Sequence, residues 1–78
     1  MKAPADPLPM KNPTYKHIEL TGTSAVSSDD AVVRVLKRAH KTLKHLCWFQ
    51  VIETRGSIDQ GKIERWQVTV KVGFCLED

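Results

Sequence analysis

The sequence predicts an α+β fold with the order strand-helix-strand-strand, in which one amphipathic helix packs on one face of a three-stranded antiparallel sheet. Three segments alternate apolar and polar residues, which is typical of strands with one buried side. Between the first two lies a segment with apolar residues at helical spacing, which predicts one helix with an apolar stripe. The 78 residues suffice for a single domain with a small core, and such domains often gain stability from a partner.

All four prolines fall within residues 1–13, so we expect an N-terminal arm without regular structure, followed by a folded domain over residues 14–78. The first alternating segment predicts a strand over residues 15–21. Turn-forming residues at positions 22–24 are expected to end this strand.

A helix is predicted to begin at Ser27-Ser28-Asp29-Asp30, where a serine hydroxyl can serve as the N-cap. Asp29 and Asp30 then lie in the first turn, where the helix dipole favours acidic side chains. The apolar residues that recur at helical spacing and define the buried stripe are Val32, Val35, Leu36, Ala39, Leu43 and Leu46. We therefore expect the helix to continue through this stripe almost to the second strand.

The second and third strands are predicted over residues 47–55 and 62–76, joined by a turn over residues 56–61. Asp59-Gln60-Gly61 should be the tightest part of this turn. The third strand carries its apolar residues at even positions, which assigns these residues to the core: Trp66, Val68, Val70, Val72, Phe74 and Leu76.

Trp48 is predicted to point away from the core face of its own strand, because Phe49 and Val51 occupy that face. When the core faces of the second and third strands coincide, Trp48 and Gln67 become near neighbours on the opposite, outer face. The other residues expected on this outer face include Ile52, Thr54 and Thr69.

The two cysteines, Cys47 and Cys75, are expected to remain separate reduced thiols. No secretory signal precedes them, and alternation along the two strands places them on opposite faces of the sheet. The sequence also has no apolar run long enough to cross a membrane. These observations make the cytoplasm the expected compartment.

The net charge of +3 favours anionic ligands in general. Nucleic acid is not the expected partner, because no aromatic residue interleaves with the basic end of the helix. His17, His40 and His45 lack the spacing of a metal site, and the glycines form no phosphate-binding loop. No grouping of Ser, His and acidic residues indicates a catalytic triad.

Trp48 and Gln67 are the best candidate binding pair. An indole can stack on a flat ligand, and a primary amide can both donate to and accept from an edge with carbonyl and imide groups. From the residues alone, an equally good interpretation is that Trp48 anchors a subunit interface. Arg55 can bind an anionic ligand, although a salt bridge is the more frequent role of such a residue, and a structural ion pair is expected for Glu53.

Six segments carry a resemblance to one known family. They are Ile18-Glu19-Leu20-Thr21-Gly22-Thr23-Ser24, Arg38-Ala39, Lys41-Thr42-Leu43, Trp48-Phe49, Glu53-Thr54-Arg55-Gly56 and Gln67-Val68-Thr69-Val70-Lys71-Val72-Gly73-Phe74. In order and spacing they resemble the dodecins over nearly all of residues 15–78. The resemblance does not extend over the proline-rich arm.

This resemblance implies a flavin-binding protein that assembles into a hollow homododecamer, stores flavin and quenches its photoreactivity, and is not an enzyme. FMN is the expected cofactor, with riboflavin or FAD as other candidates. The family's arrangement implies that Trp48 stacks on the isoalloxazine ring, with two flavins held between tryptophans of neighbouring subunits. It also implies that Gln67 hydrogen-bonds the ring and that Arg55 lies near the ligand.

Three positions depart from the family's pattern: Cys75 replaces a frequent arginine, Gln50 a usual glutamate, and Trp66 a tyrosine or phenylalanine. The first departure bears on any contact with a phosphate or a coenzyme A-like anion. The alternative to flavin binding is a structural oligomerisation module whose outer face only packs against other subunits. A flavin-dependent enzyme is a weaker hypothesis, because no acid, base or nucleophile is evidently placed near Trp48.

Overall fold

The computed structural model describes residues 12–76, and its elements follow the predicted order. They are β1 (Tyr15–Ser24), α1 (Ser28–His40), β2 (Leu46–Asp59) and β3 (Lys62–Cys75). β3 is the central strand and pairs antiparallel with both β1 and β2. The predicted α+β class, with a three-stranded antiparallel sheet and one helix, is confirmed. The prediction of a proline-rich arm falls almost entirely on residues 1–11, outside the described residues.

The N-terminus of α1 is capped as predicted. The Ser27 hydroxyl accepts a hydrogen bond from the backbone N–H of Asp30 at 3.0 Å. The Asp30 carboxylate in turn accepts hydrogen bonds from the Ser24 hydroxyl and the Arg34 guanidinium, both at 2.6 Å. These two donors, with Ser24 the stronger influence, hold the pKa of Asp30 below its usual 3.8.

The helix ends at His40, earlier than its apolar stripe predicts. Lys41 is the C-cap, and the backbone N–H of Leu43 closes the last turn on the carbonyl of Ala39 at 2.9 Å. His45 then adopts a positive φ of 61°, which redirects the chain into β2. Leu46 is the first residue of β2, so the helical spacing of this residue was misleading.

Gly22 lies within β1 and not in a turn, which makes the prediction for residues 22–24 wrong. A Cβ atom at Gly22 would lie 2.4 Å from the carbonyl oxygen of Ala31 and 2.9 Å from the Cβ of Val35. The absence of a side chain therefore allows α1 to pack directly against the backbone of β1.

The hydrophobic core lies between α1 and the centre of the sheet. Its buried members are Ala31, Val35, Val68, Val70 and Val72, with Leu20, Val32, Leu36 and Leu46 packed against them. The even-numbered residues of β3 thus face the helix as predicted. Burial decreases towards the two ends of this row, since Trp66 and Phe74 are only partly buried and Leu76 lies beyond β3 with 40% of its surface exposed.

The second strand extends beyond the cover that the helix provides. α1 packs against β1 and β3. Phe49 and Val51 lie opposite Val72 and Val70, so they share the helix side of the sheet, yet they are 48% and 45% exposed. The predicted face is correct for both residues, and the prediction that they are buried is wrong for the single chain.

Register irregularities interrupt the pairing of β2 with β3 at three places. Cys47 and Ile52 are extra residues in β2, and Glu64 is an extra residue in β3. Beyond Ile52 the alternation of β2 is reversed, so Thr54 lies opposite the core residue Val68. The predicted place of Thr54 on the outer face is therefore wrong. Gln60 and Gly61 form the hairpin turn with positive φ, within the part predicted to be tightest, but β2 continues to Asp59, so the predicted turn over residues 56–61 is too long.

Candidate functional site on the outer face of the sheet

Trp48 lies over Gly73 on the outer face, which is the face of the sheet opposite α1. The two residues are cross-strand partners in β2 and β3, and His17 of β1 is the partner of Gly73 on its other side. A Cβ atom at Gly73 would lie 2.1 Å from Cε2 and 2.6 Å from Nε1 of the indole. The ring therefore occupies the space that any other residue at position 73 would fill.

Two rings of β1 flank this indole. The centroid of Tyr15 lies 6.0 Å from that of Trp48, with the planes at 75°, an edge-to-face arrangement. The His17 ring is 6.3 Å away and tilted by 48°. Trp48 remains only partly buried between them. The aromatic cluster of Tyr15, His17 and Trp48 thus holds the indole in place while part of its surface stays accessible.

A second polar cluster lies farther along the outer face. Arg55 lies opposite Gln67, and its Nε donates a 3.1 Å hydrogen bond to Oε1 of Gln67. The same guanidinium forms an ion pair with the carboxylate of Glu53, two residues earlier in β2. Both residues of this ion pair are about half exposed. The structural ion pair expected for Glu53 is therefore present, and its partner is Arg55.

The reversal of alternation at Ile52 creates this polar cluster. Without the extra residue, Glu53 and Arg55 would continue the alternation of Phe49 and Val51 and face the helix side of the sheet. With it, Glu53 pairs with Thr69 and Arg55 with Gln67 on the outer face. The bulge at Ile52 thus determines on which face of the sheet the charged side chains of Glu53 and Arg55 lie.

Trp48 and Gln67 share the outer face as predicted, but they are not near neighbours within one chain. Gln67 lies six positions before Gly73 in β3, and six residues of an antiparallel strand span about 20 Å. Between the two clusters lie the cross-strand pairs Glu19–Lys71 and Thr21–Thr69, the latter with hydroxyls 2.9 Å apart. The prediction of an adjacent Trp48–Gln67 pair assumed uninterrupted alternation and a different register.

The prediction that Cys47 and Cys75 lie on opposite faces is also wrong. Their sulfur atoms are 2.7 Å apart. Cys47 is the extra residue between the pairs Leu46–Phe74 and Trp48–Gly73, so the parity rule does not apply to it.

Tyr15, His17 and Gly73 were not identified as site residues from the sequence. The signal that could have revealed them is Gly73 itself, because a glycine inside an otherwise apolar strand often marks a close approach by another group. The order β1-β3-β2 then brings the odd-numbered residues of β1 beside the same glycine. Sequence alternation alone does not give that order.

Neither a cluster of metal ligands nor a membrane-spanning helix is found in the described part of the chain. Within residues 12–76, no three side chains of His, Cys, Asp or Glu are grouped so that they could hold a metal ion. Over the same residues, no helix has the length and apolar character needed to cross a membrane.

A small sheet that presents an accessible indole and an oriented amide on one face, away from its core, defines an α+β protein with a candidate ligand-binding face. The chain belongs to the Dodecin family, whose family model matches residues 14–77. This confirms the resemblance found in the sequence.

Known members of the family match most of the chain. It is 47% identical over 64 residues to the dodecin of Thermus thermophilus, a match that covers 82% of this chain and 93% of that protein. The structure of dodecin from Streptomyces coelicolor matches with a TM-score of 0.83 and 45% identity, covering 88% of this chain and 99% of the other. A calcium dodecin from Mycobacterium tuberculosis, described as calcium-chelating, matches with a TM-score of 0.72 and 29% identity, over 82% and 91% of the two chains.

Proposed function

We propose that this protein is a flavin-binding storage protein, in which pairs of flavins are sequestered between the subunits of a homododecamer and their photoreactivity is quenched. FMN is the proposed cofactor, with riboflavin and FAD as alternatives to be compared. Membership in the Dodecin family supports this function. The structural observation that carries it is the indole of Trp48, held over Gly73 and partly accessible on the outer face.

The indole is preorganised for stacking on a flat ring. Its position over Gly73 and the flanking rings of Tyr15 and His17 restrict its rotation before a ligand binds. A rigid aromatic surface loses little conformational entropy on binding, so less of the stacking free energy is offset and the affinity is higher than for a mobile ring. An electron-rich indole against an isoalloxazine ring is also a suitable arrangement for quenching the excited flavin.

Gln67 is oriented to donate a hydrogen bond. Because its Oε1 accepts from Arg55 Nε, its amide N–H groups point to other acceptors. Flavin carries two carbonyl groups on its pyrimidine edge that can accept them. In this proposal Arg55 acts by orienting Gln67, and the ion pair with Glu53 holds the guanidinium in place for this role.

The separation of Trp48 from Gln67 supports a site made by more than one subunit. The two residues are about 20 Å apart along the sheet, which is longer than an isoalloxazine ring. One flavin that stacks on Trp48 and also receives a hydrogen bond from Gln67 therefore needs these residues from different copies of the chain. Assembly and flavin binding are coupled in this arrangement.

The experiment that tests the function is titration of FMN and riboflavin into flavin-free protein, followed by flavin and tryptophan fluorescence. We expect both signals to be quenched. Replacing an aromatic stacking partner of a flat base with alanine typically costs about 1–3 kcal/mol, so Trp48→Ala should weaken binding about 5- to 150-fold. Trp48→Phe should retain part of the affinity.

Trp66→Phe is the matched control, because Trp66 is the second of the two tryptophans and is part of the core side of β3. It should bind flavin as the unmodified protein does. Absence of quenching in the unmodified protein would exclude the flavin proposal. The exposed apolar residues Phe49 and Val51 would then favour the alternative, an oligomerisation module that assembles normally but remains colourless.

A further inference from the structure

Cys47 and Cys75 form a dithiol pair at the end of the sheet. Their sulfur atoms are 2.7 Å apart, although the residues are 28 positions apart in sequence. A disulfide bond is about 2.05 Å long, so only a small movement separates the two thiols from bonding distance. The pair lies beside the aromatic cluster, because Cys75 is the cross-strand partner of Tyr15, but neither sulfur belongs to the rings of that cluster or to the polar cluster.

One backbone carbonyl holds both cysteines in position. The carbonyl oxygen of His45 accepts a hydrogen bond from the backbone N–H of Cys75 at 3.0 Å, and the Cys47 thiol donates to the same oxygen at 3.2 Å. His45 itself adopts the left-handed conformation, with a φ of 61°. The proximity of the thiols is therefore built into the turn between α1 and β2.

We propose that Cys47 and Cys75 are a reversible redox site, which forms an intrachain disulfide by exchange with a low-molecular-weight disulfide. The Cys47 thiolate attacks one sulfur of that disulfide and expels a thiolate, giving a mixed disulfide at Cys47. The Cys75 thiolate then attacks the Cys47 sulfur and expels the second thiolate. The protein loses two electrons and two protons overall, and the small disulfide is reduced to two thiols.

The order of attack follows from exposure. Cys47 is partly exposed, whereas Cys75 is 3% exposed. An external disulfide therefore reaches Cys47 first, and Cys75 acts as the resolving cysteine from inside the fold. The bond that results would tie β2 and β3 together directly beside the Trp48–Gly73 pair, since Cys47 precedes Trp48 and Cys75 follows Gly73 by two residues.

The test uses oxidised and reduced glutathione as the redox probe on the full chain. The protein is equilibrated at graded ratios of the two forms of glutathione, and exchange is then quenched with acid. After unfolding, the remaining thiols are alkylated with N-ethylmaleimide, and the mass of the intact chain is measured by mass spectrometry. We expect a monomer-mass species that accepts no maleimide and has lost two hydrogen atoms. Its formation should be reversed by reduced glutathione. The equilibrium constant should be at least about tenfold more favourable in native protein than in the same chain unfolded in guanidinium chloride.

Two variants separate the roles of the cysteines. Cys75→Ser should accumulate a glutathione mixed disulfide at Cys47, because the resolving thiol is missing. Cys47→Ser should react at least about tenfold more slowly, because only the buried thiol remains. The proposal is overturned if the unmodified protein accumulates mixed disulfides or disulfides between chains, or if native and unfolded protein have the same equilibrium constant. None of these measurements depends on flavin binding, so the redox site and the proposed function can fail separately.

Discussion

At the scale of single residues, the position of Trp48 depends on the absence of a side chain at Gly73. The indole occupies the volume where a Cβ atom would lie, with three of its atoms within 2.6 Å of that point. No rotation of a methyl group relieves such an overlap, because a Cβ atom is fixed by the backbone. Either the indole or the strand has to move.

We predict that Gly73→Ala displaces the indole from the sheet. The tryptophan emission should shift to longer wavelength as the ring becomes more exposed, and affinity for FMN should fall by about tenfold or more, as expected for loss of an aromatic stacking partner. Gly56→Ala is the control, because a Cβ atom there meets only the carbonyl oxygen of Arg65, at 3.0 Å. Unchanged emission and affinity in Gly73→Ala would show that the ring is not held as described.

At the scale of secondary-structure elements, α1 is fixed to β1 through its first turn. Ser24, the last residue of β1, donates to the carboxylate of Asp30 and accepts from the backbone N–H of Val26 at 2.9 Å. Asp30 also lies at the positive end of the helix dipole and pairs with Arg34. One ionised carboxylate therefore links the strand, the connection and the helix.

We predict that the contribution of Asp30 to stability depends on pH. Its folded-state pKa lies below the ordinary value of 3.8, so its contribution is complete above that pH and is lost as the pH falls through the lower, folded-state value. Asp30→Asn should therefore lower the thermal unfolding temperature at pH 7, and the difference from the unmodified protein should shrink in acid. Asp29→Asn removes a charge from the same turn without these partners, and it should have a smaller effect. If the difference in unfolding temperature between Asp30→Asn and the unmodified protein does not change with pH, the prediction is contradicted.

The elements themselves were predictable from sequence because their signals are local. Alternation identified β3, the Ser27 cap identified the start of α1, and Gln60-Gly61 identified the hairpin. The register of the strands was not predictable, because it depends on extra residues within the strands that no local sequence pattern indicates. The extra residues Cys47 and Ile52 reverse the alternation of β2.

The candidate site was predictable in its residue types, and in its face for Trp48 and Gln67, but not in the face of Arg55 or in the grouping of the three residues. Trp48, Gln67 and Arg55 all lie on the outer face, and the structure brings only Arg55 and Gln67 together. The aromatic cluster around Trp48 depends on the placement of β1 beside β3. That order is a property of the whole sheet, set by how α1 returns the chain, and it is not encoded in the periodicity of any one segment.

At the scale of the whole molecule, the single chain leaves an apolar surface on the helix side of β2. Phe49 and Val51 lie there beyond the edge of α1, and β2 is an edge strand of the sheet. The hairpin tip adds Ile58 and Ile63, which are 76% and 60% exposed. A core of this small size gains from additional burial, and apolar surface beside a sheet edge is a typical subunit contact.

We predict that Phe49→Asp disrupts the proposed homo-oligomer, because a carboxylate in a subunit contact would lose its hydration without a partner. Light scattering after gel filtration should change from a particle of about a dozen chains, the size proposed for the unmodified protein, to one or a few chains of 8.8 kDa. Val33→Asp is the matched control, since Val33 on α1 is also 48% exposed but does not lie on β2. It should assemble normally.

Assembly of Phe49→Asp at full size would place the subunit contacts elsewhere on the molecule, whereas loss of assembly in both variants would indicate a general sensitivity to added negative charge. Selective loss in Phe49→Asp, together with loss of flavin binding, would link the apolar surface of β2 to a ligand site that only the assembled protein completes.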